Sequence, residues 1–181
     1  MVLLIEGVNH TGKSTLAKKL AKDLGWGILK FNVPPLESPY IHFSQRIHAA
    51  IREHGNVIID RCHFSNFAYN GRLGGGVLNE IERYALDKII DVVFLLVDSP
   101  FVIAERLNED VDRDDGAERL TRQDLGDIQK RFYEALGSSL IENKYSFQFP
   151  QLITEDGVTA QYVRIVNQLR NWKWSSTISM N

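Results

Sequence analysis

The chain has 181 residues, 44% hydrophobic and 24% charged, with a formal net charge of -2. Such a length and composition suit one globular domain over residues 1–181, and the near-neutral charge excludes a global basic field of the kind that draws a protein to nucleic acid or an anionic membrane. A single cysteine, Cys62, excludes an intramolecular disulfide and a zinc cluster; with strand-length apolar runs and no signal-peptide pattern at the N-terminus, the expectation is a cytoplasmic protein with no membrane contact.

Val2 to Ile5 is a short apolar run suited to a buried strand. It leads into Ile5-Glu6-Gly7-Val8-Asn9-His10-Thr11-Gly12-Lys13-Ser14-Thr15, which contains the pattern G-x-x-x-x-G-K-[ST]. The spacing has a mechanism. Glycines let successive backbone N–H groups turn inward around a phosphate chain, the lysine reaches the β- and γ-phosphates, and the serine hydroxyl is a Mg²⁺ ligand. Gly7, Asn9, His10, Thr11, Gly12, Lys13, Ser14 and Thr15 are therefore the predicted donor-binding set. After Gly12, the apolar positions Leu16, Ala17, Leu20, Ala21 and Leu24 recur at helical spacing until Gly25, so the loop opens a helix whose dipole favours an anion.

Gly27 to Phe31 reads as a second strand, and Asn32-Val33-Pro34-Pro35 as a loop at its end. Ser38-Pro39 predicts an N-cap with proline at the first helical position, opening a helix that runs to Gly55. Val57-Ile58-Ile59-Asp60 is a buried strand that ends in an acid. A helix begins within Phe64 to Tyr69; Gly71 and Gly74-Gly75-Gly76 mark a mobile connection; a second helical stretch covers Val77 to Ile89. Val92 to Val97 is another continuous apolar strand, closed by Asp98, with Ser99-Pro100 capping a helix through Leu107. The charged segment Asn108 to Arg119 buries little surface and reads as a solvated, mobile excursion, a lid of roughly residues 107–121. Thr121 and Asp124 open a long helix, Gln151 to Thr154 is a last strand, and Thr159 to Trp174 a closing helix before a frayed tail from Ser175 to Asn181. Alternating strands and helices imply an α/β fold of the P-loop NTPase type: about five parallel strands, helices on both faces and a small mobile lid.

Ligands of such sheets bind beyond the carboxyl ends of the strands, where the glycine loop, Asp60-Arg61 and Asp98 all fall. An acid at a strand end suits Mg²⁺, and Asp60 is preferred to Asp98 because Arg61 adds an anion-binding guanidinium beside it. Ser14 and Asp60 are thus the predicted metal set. The excursion and its flanks bring Arg106, Arg113, Arg119 and Arg122, any of which could close over the transferring phosphoryl group. Asn143-Lys144-Tyr145-Ser146 lacks the acid of the guanine-reading [NT]KxD pattern, which argues against a GTPase.

Two stretches carry a family resemblance over most of the chain. Ile5 to Thr15 resembles EG[IV]DxxGK[ST]T, and Asp60-Arg61-Cys62-His63-Phe64-Ser65-Asn66-Phe67-Ala68-Tyr69-Asn70-Gly71 resembles DRYxxSxxAYQG, the signatures of thymidylate kinase-like P-loop nucleotide kinases. Phe43-Ser44-Gln45-Arg46 is similar to the family's base-contacting helix segment, and Asp112-Arg113 to the lid's DR. The resemblance implies that Asp60 serves Mg²⁺ and acceptor alignment and that Arg61 holds the acceptor's 5′-phosphate. It implies further that Phe43 stacks on the base, Arg46 contacts its edge, Tyr69 and Asn70 line sugar and base, Phe31 forms another wall, and Arg113 closes from the lid. Lys13, Asp60, Arg61 and Arg113 are then the catalytic set. Three departures fall on the acceptor side: Asn9 replaces the usual Asp, His10 a catalytic arginine of one branch, and the stretch between strand two and the base-contacting helix is short.

The expected activity is transfer of a γ-phosphoryl group from ATP, with Mg²⁺, onto dTMP or a related pyrimidine deoxynucleotide. Two other readings stay open: a P-loop kinase acting on a hydroxyl of a deoxynucleoside or of a hydroxymethylated base in DNA, and a nucleotide-binding regulator that hydrolyses slowly. A small-molecule nucleotide is the expected partner, with a nucleic-acid acceptor and a homodimer left open.

Overall fold

Each apolar run of the first half is short, flanked by turn residues and followed by a helix, so the chain returns repeatedly to the same end of one sheet. The computed structural model describes residues 1–32, 36–69, 75–109, 120–154 and 157–177. In order it contains β1 (Val2–Gly7), α1 (Lys13–Leu24), β2 (Gly27–Lys30), α2 (Pro39–His54), β3 (Val57–Asp60), α3 (His63–Tyr69), α4 (Glu80–Asp87), β4 (Val92–Val97), α5 (Pro100–Glu109), α6 (Arg122–Ser138), β5 (Asn143–Gln148), β6 (Ile153–Thr154), β7 (Gly157–Val158) and α7 (Ala160–Thr177). Strands β1 to β5 form one parallel sheet in the order β2-β3-β1-β4-β5.

Side chains of successive strand residues point to opposite faces, so β1 divides itself between two cores. Val2 and Leu4 join a layer with Phe43 and Ile47 of α2, Phe64 and Tyr69 of α3, and Leu125, Ile128 and Phe132 of α6. Leu3 and Ile5 join the opposite layer, with Leu16 and Leu20 of α1 and Tyr162, Ile165 and Leu169 of α7. Leu3, Leu4 and Ile5 are 0% exposed, and each such side chain contributes about 1.5–3 kcal/mol relative to its exposed state. The central strand is therefore a rigid base for the loop that leaves it at Gly7.

The fifth sheet strand is Asn143–Gln148, not the predicted Gln151 to Thr154. As an edge strand it pairs only with β4, and its polar alternation, with Phe147 buried and Ser146 exposed, lacks the apolar run that marks the others. Phe149–Gln151 instead forms a 3₁₀ turn, and β6 pairs antiparallel with β7 in a separate hairpin. The hydroxyl of Ser38 makes no capping bond, the residue itself lying at φ 52. Helix α4 is shorter than predicted because Asn79 starts it, with a reciprocal side-chain cap to Glu82. Helix α7 continues past Trp174 to Thr177. Most of the predicted lid, 110–119, and the glycine connection at 71 and 74 lie outside the described residues.

Candidate active site

The loop after β1 is shaped by two glycines that no other residue could replace without strain. Gly7 lies at φ 142 with the Leu96 carbonyl oxygen where a Cβ would stand, and Gly12 lies at φ 84 under the ring of Phe149. Within the loop, Thr11 Oγ1 donates to the Val8 carbonyl at 2.8 Å, and Lys13 Nζ donates to the same oxygen at 2.5 Å. Lys13 is 4% exposed. Burial, and after it the positive charge of Arg61, lower the ammonium to about 7, so the loop holds a cation short of counter-charge. A polyphosphate is a ligand that would supply that charge. The first N–H groups of α1, which begins at Lys13, face the same place.

Asp60 closes β3, which lies beside β1 in the sheet, and this register brings it to the loop across 46 residues of sequence. Ser14 Oγ donates to Asp60 Oδ2 at 2.6 Å. The other oxygen, Oδ1, is buried without a hydrogen-bond partner among the described residues, an arrangement that costs roughly 1–3 kcal/mol unless a ligand satisfies it. One serine hydroxyl beside one half-satisfied carboxylate fits Mg²⁺, which keeps waters and phosphate oxygens in the rest of its shell. Arg61 follows at φ 69, its N–H bonded to the Ile5 carbonyl at 3.0 Å. That left-handed turn sends its guanidinium close enough to Lys13 to depress the ammonium. Asp98, the second candidate acid, is already engaged: it accepts from Ser99 N at 2.9 Å and from Arg106 Nη1 at 2.9 Å. Arg106 Nη1 also donates to the His10 carbonyl at 3.1 Å, tying helix α5 to the glycine loop.

Where the family resemblance implies an acceptor site, Tyr69 Oη donates to Asn9 Oδ1 at 2.9 Å and accepts from Asn9 N at 3.2 Å. Burial raises its phenol above the ordinary value. Phe31 and Phe43 meet edge to face at 4.7 Å between centroids, at 2% and 1% exposure. The guanidinium of Arg46 lies 4.7 Å above Phe31 and donates to the Lys30 carbonyl at 3.2 Å. Phe43 thus sits inside the core, with Arg46 on the exposed side of the cluster. Asn70, Asp112, Arg113 and Arg119 lie outside the described residues; Arg122 caps the ring of Phe101 at 4.6 Å.

Residues 36–155 match the family model described as Thymidylate kinase, well over half of the chain. The chain belongs to the thymidylate kinase family. It is 31% identical over 148 residues to the SPbeta prophage-derived uncharacterized protein YorR of Bacillus subtilis (strain 168), covering 76% of this chain and 83% of YorR. The crystal structure of YorR in complex with phosphorylated GDP superposes with a TM-score of 0.72 at 26% identity, covering 94% of this chain and 98% of that one. Deoxyadenosine kinase from M. mycoides, at TM-score 0.55 and 17% identity over 94% of this chain and 100% of its own, shares the fold. So does thymidylate kinase from Candida albicans, at 0.51 and 20% over 94% and 92%.

As a member of this family the chain is a nucleotide kinase, a phosphotransferase. No helix among its described residues is long and apolar enough to cross a membrane. Three side chains beside the candidate site gain their place from tertiary structure rather than from the sequence pattern. Glu6, inside the most buried strand, accepts three hydrogen bonds from the segment after Arg61; an acid among apolar residues was its signal. Phe149 packs on Gly12 from a turn whose strand was itself unrecognised. Arg106 was one of four candidate arginines, and only tertiary structure separates it from the rest by its bond to His10.

Proposed function

We propose that the chain is an ATP- and Mg²⁺-dependent kinase that transfers a γ-phosphoryl group in line onto the 5′-phosphate of a pyrimidine deoxynucleotide, dTMP first among them. The observation that carries this reading is the 2.6 Å bond from Ser14 to Asp60. It joins the phosphate loop to the turn bearing Arg61, which supports a reading with a donor half and an acceptor half at contact distance. The loop amides and Lys13 neutralise the donor phosphates, Arg61 clamps the acceptor phosphate, and Arg113 closes from a lid over roughly 107–121. Ser14 and Asp60 would hold Mg²⁺, which when bound supplies charge neutralisation at the β- and γ-oxygens. Asp60 then has no base to be: a phosphate acceptor is already nucleophilic at neutral pH, whereas a hydroxyl acceptor requires proton removal. Arg46, Tyr69 and Asn70 line the acceptor's base and sugar in this reading, with the buried pair Phe31 and Phe43 as the support beneath Arg46.

A second reading, a guanine nucleotide as acceptor, is supported by the phosphorylated GDP in the YorR complex. The test is incubation with ATP, Mg²⁺ and, in turn, dTMP, dCMP, dGMP, dAMP, thymidine and DNA carrying a hydroxymethylated base. Transfer to dTMP is the expected result. Preference for dGMP would establish the second reading, transfer to thymidine or DNA alone would return Asp60 to the role of a base, and acceptor-independent ADP release would exclude a kinase of monophosphates.

A further inference from the structure

Glu6 is the penultimate residue of β1: it is 0% exposed and immediately precedes Gly7. Its Oε1 accepts from the N–H groups of Cys62 at 2.7 Å and Ser65 at 3.1 Å, and its Oε2 from the Ser65 hydroxyl at 2.5 Å. All three donors lie just beyond Asp60-Arg61, where the chain turns through the left-handed conformation of Arg61, φ 69, an unfavourable geometry for a residue with a side chain. The segment 60–69 is tied to the glycine loop at two further points, Ser14 to Asp60 and Asn9 to Tyr69. Those two pairs belong to the proposed substrate site. Glu6, fully buried, lies behind it.

We infer that Glu6 is a positioning residue: through the amides of Cys62 and Ser65 it holds the strained Arg61 turn in register with the glycine loop, and thereby sets the acceptor phosphate against the donor. This rests on the proposed role of Arg61 toward the acceptor. The donor loop has bonds of its own, Thr11 to Val8 and Arg106 to His10, that do not pass through Glu6. Loss of the carboxylate should therefore act on the acceptor half. Glutamine can keep one carbonyl oxygen for both amides while the Ser65 hydroxyl reverses and accepts from its amide nitrogen, so it is the conservative rescue.

The experiment compares Glu6→Ala, Glu6→Gln and Ser65→Ala in the full chain, with steady-state kinetics in both substrates and amide hydrogen exchange followed by NMR. In Glu6→Ala the acceptor KM should rise by about tenfold or more with donor KM within about threefold, Ser65→Ala should show a smaller shift of the same kind, and Glu6→Gln should restore most of the loss. Exchange at Cys62 and Ser65 should accelerate in Glu6→Ala and Ser65→Ala while amides of β4 stay protected. Equal effects on the two KM values, or unchanged exchange at Cys62 and Ser65, would overturn the inference. If Glu6→Ala does not fold, Ser65→Ala and Glu6→Gln decide it alone. If no monophosphate supports turnover, the proposed function fails, and the exchange data still judge whether Glu6 holds the turn.

Discussion

The proposed donor half of the site is made largely of backbone, and the proposed acceptor half of side chains. Gly7 to Ser14 is contiguous, follows a buried strand, and is shaped from within by local bonds, as in Lys13 and Thr11 to Val8. The acceptor half draws Phe31, Arg46, Arg61 and Tyr69 from separate elements, and its order depends on how α2 and α3 pack on the sheet. A site made of backbone tolerates little change in sequence, because the turn needs glycine at fixed places. A site made of side chains drawn from separate elements can be retuned one residue at a time.

The sharpest way to break this contrast is Lys13→Ala. It should leave the fold intact, since the bonds it removes, to Val8 and Thr11, are local, yet lower kcat/KM by about 10³ or more because the developing phosphate charge loses its principal cation; wild-type turnover in a folded variant would remove Lys13 from the mechanism. Next comes Arg61→Ala, expected to reduce kcat/KM for the acceptor by about 10², with Arg61→Lys recovering little because a planar fork is replaced by a point charge. Equilibrium binding of ATP to this variant should stay near wild type, and a parallel loss there would erase the division into halves. Tyr69→Phe removes both hydrogen bonds to Asn9 and should lower the unfolding free energy by about 1–2 kcal/mol and kcat several-fold; chemical denaturation and kinetics measure both.

The smallest expected effect probes the scaffold behind the acceptor turn. Asp87 accepts from buried His63 Nε2 at 2.7 Å and from Leu140 N at 2.8 Å. Burial alone pushes its carboxyl up, but the bonds from His63, Leu140 and Ser139 together with the charge of His63 outweigh that, and the group lies below its ordinary value of 3.8. A carboxyl depressed by folding contributes stability that is present above its unfolded value and is lost as pH falls through the folded one. Wild-type stability should accordingly fall more steeply than that of Asp87→Asn below about pH 4, as urea melts at pH 6, 4 and 3 would show. Identical slopes would mean that Asp87 is not held ionised by His63.

Legibility in the sequence follows the same division. The glycine loop is a local pattern, so its residues could be named from spacing alone, and β1, β3 and β4 announce themselves because strands covered on both faces are continuous apolar runs. Strand β5 could not be read that way: at the edge its alternation of Lys144, Tyr145, Ser146 and Phe147 is that of a polar surface segment. Among site residues, Asp60 was legible as an acid at a strand end. Its bond to Ser14 depends on β3 lying beside β1, which no local pattern encodes. Phe43 shows the converse. Helical spacing places it on the apolar face of α2, and that face turns it into the core, with Arg46 one turn away left at the surface.

Lys13 donates to the Val8 carbonyl, an oxygen of its own loop. In the proposed function a donor phosphate would compete with that oxygen for the ammonium. Donor binding would then be an exchange of partners in which a neutral carbonyl gives way to a charged phosphate oxygen, and the favourable difference would come from that change of charge. The loop would on this reading favour polyphosphate over neutral ligands before any base or sugar is recognised.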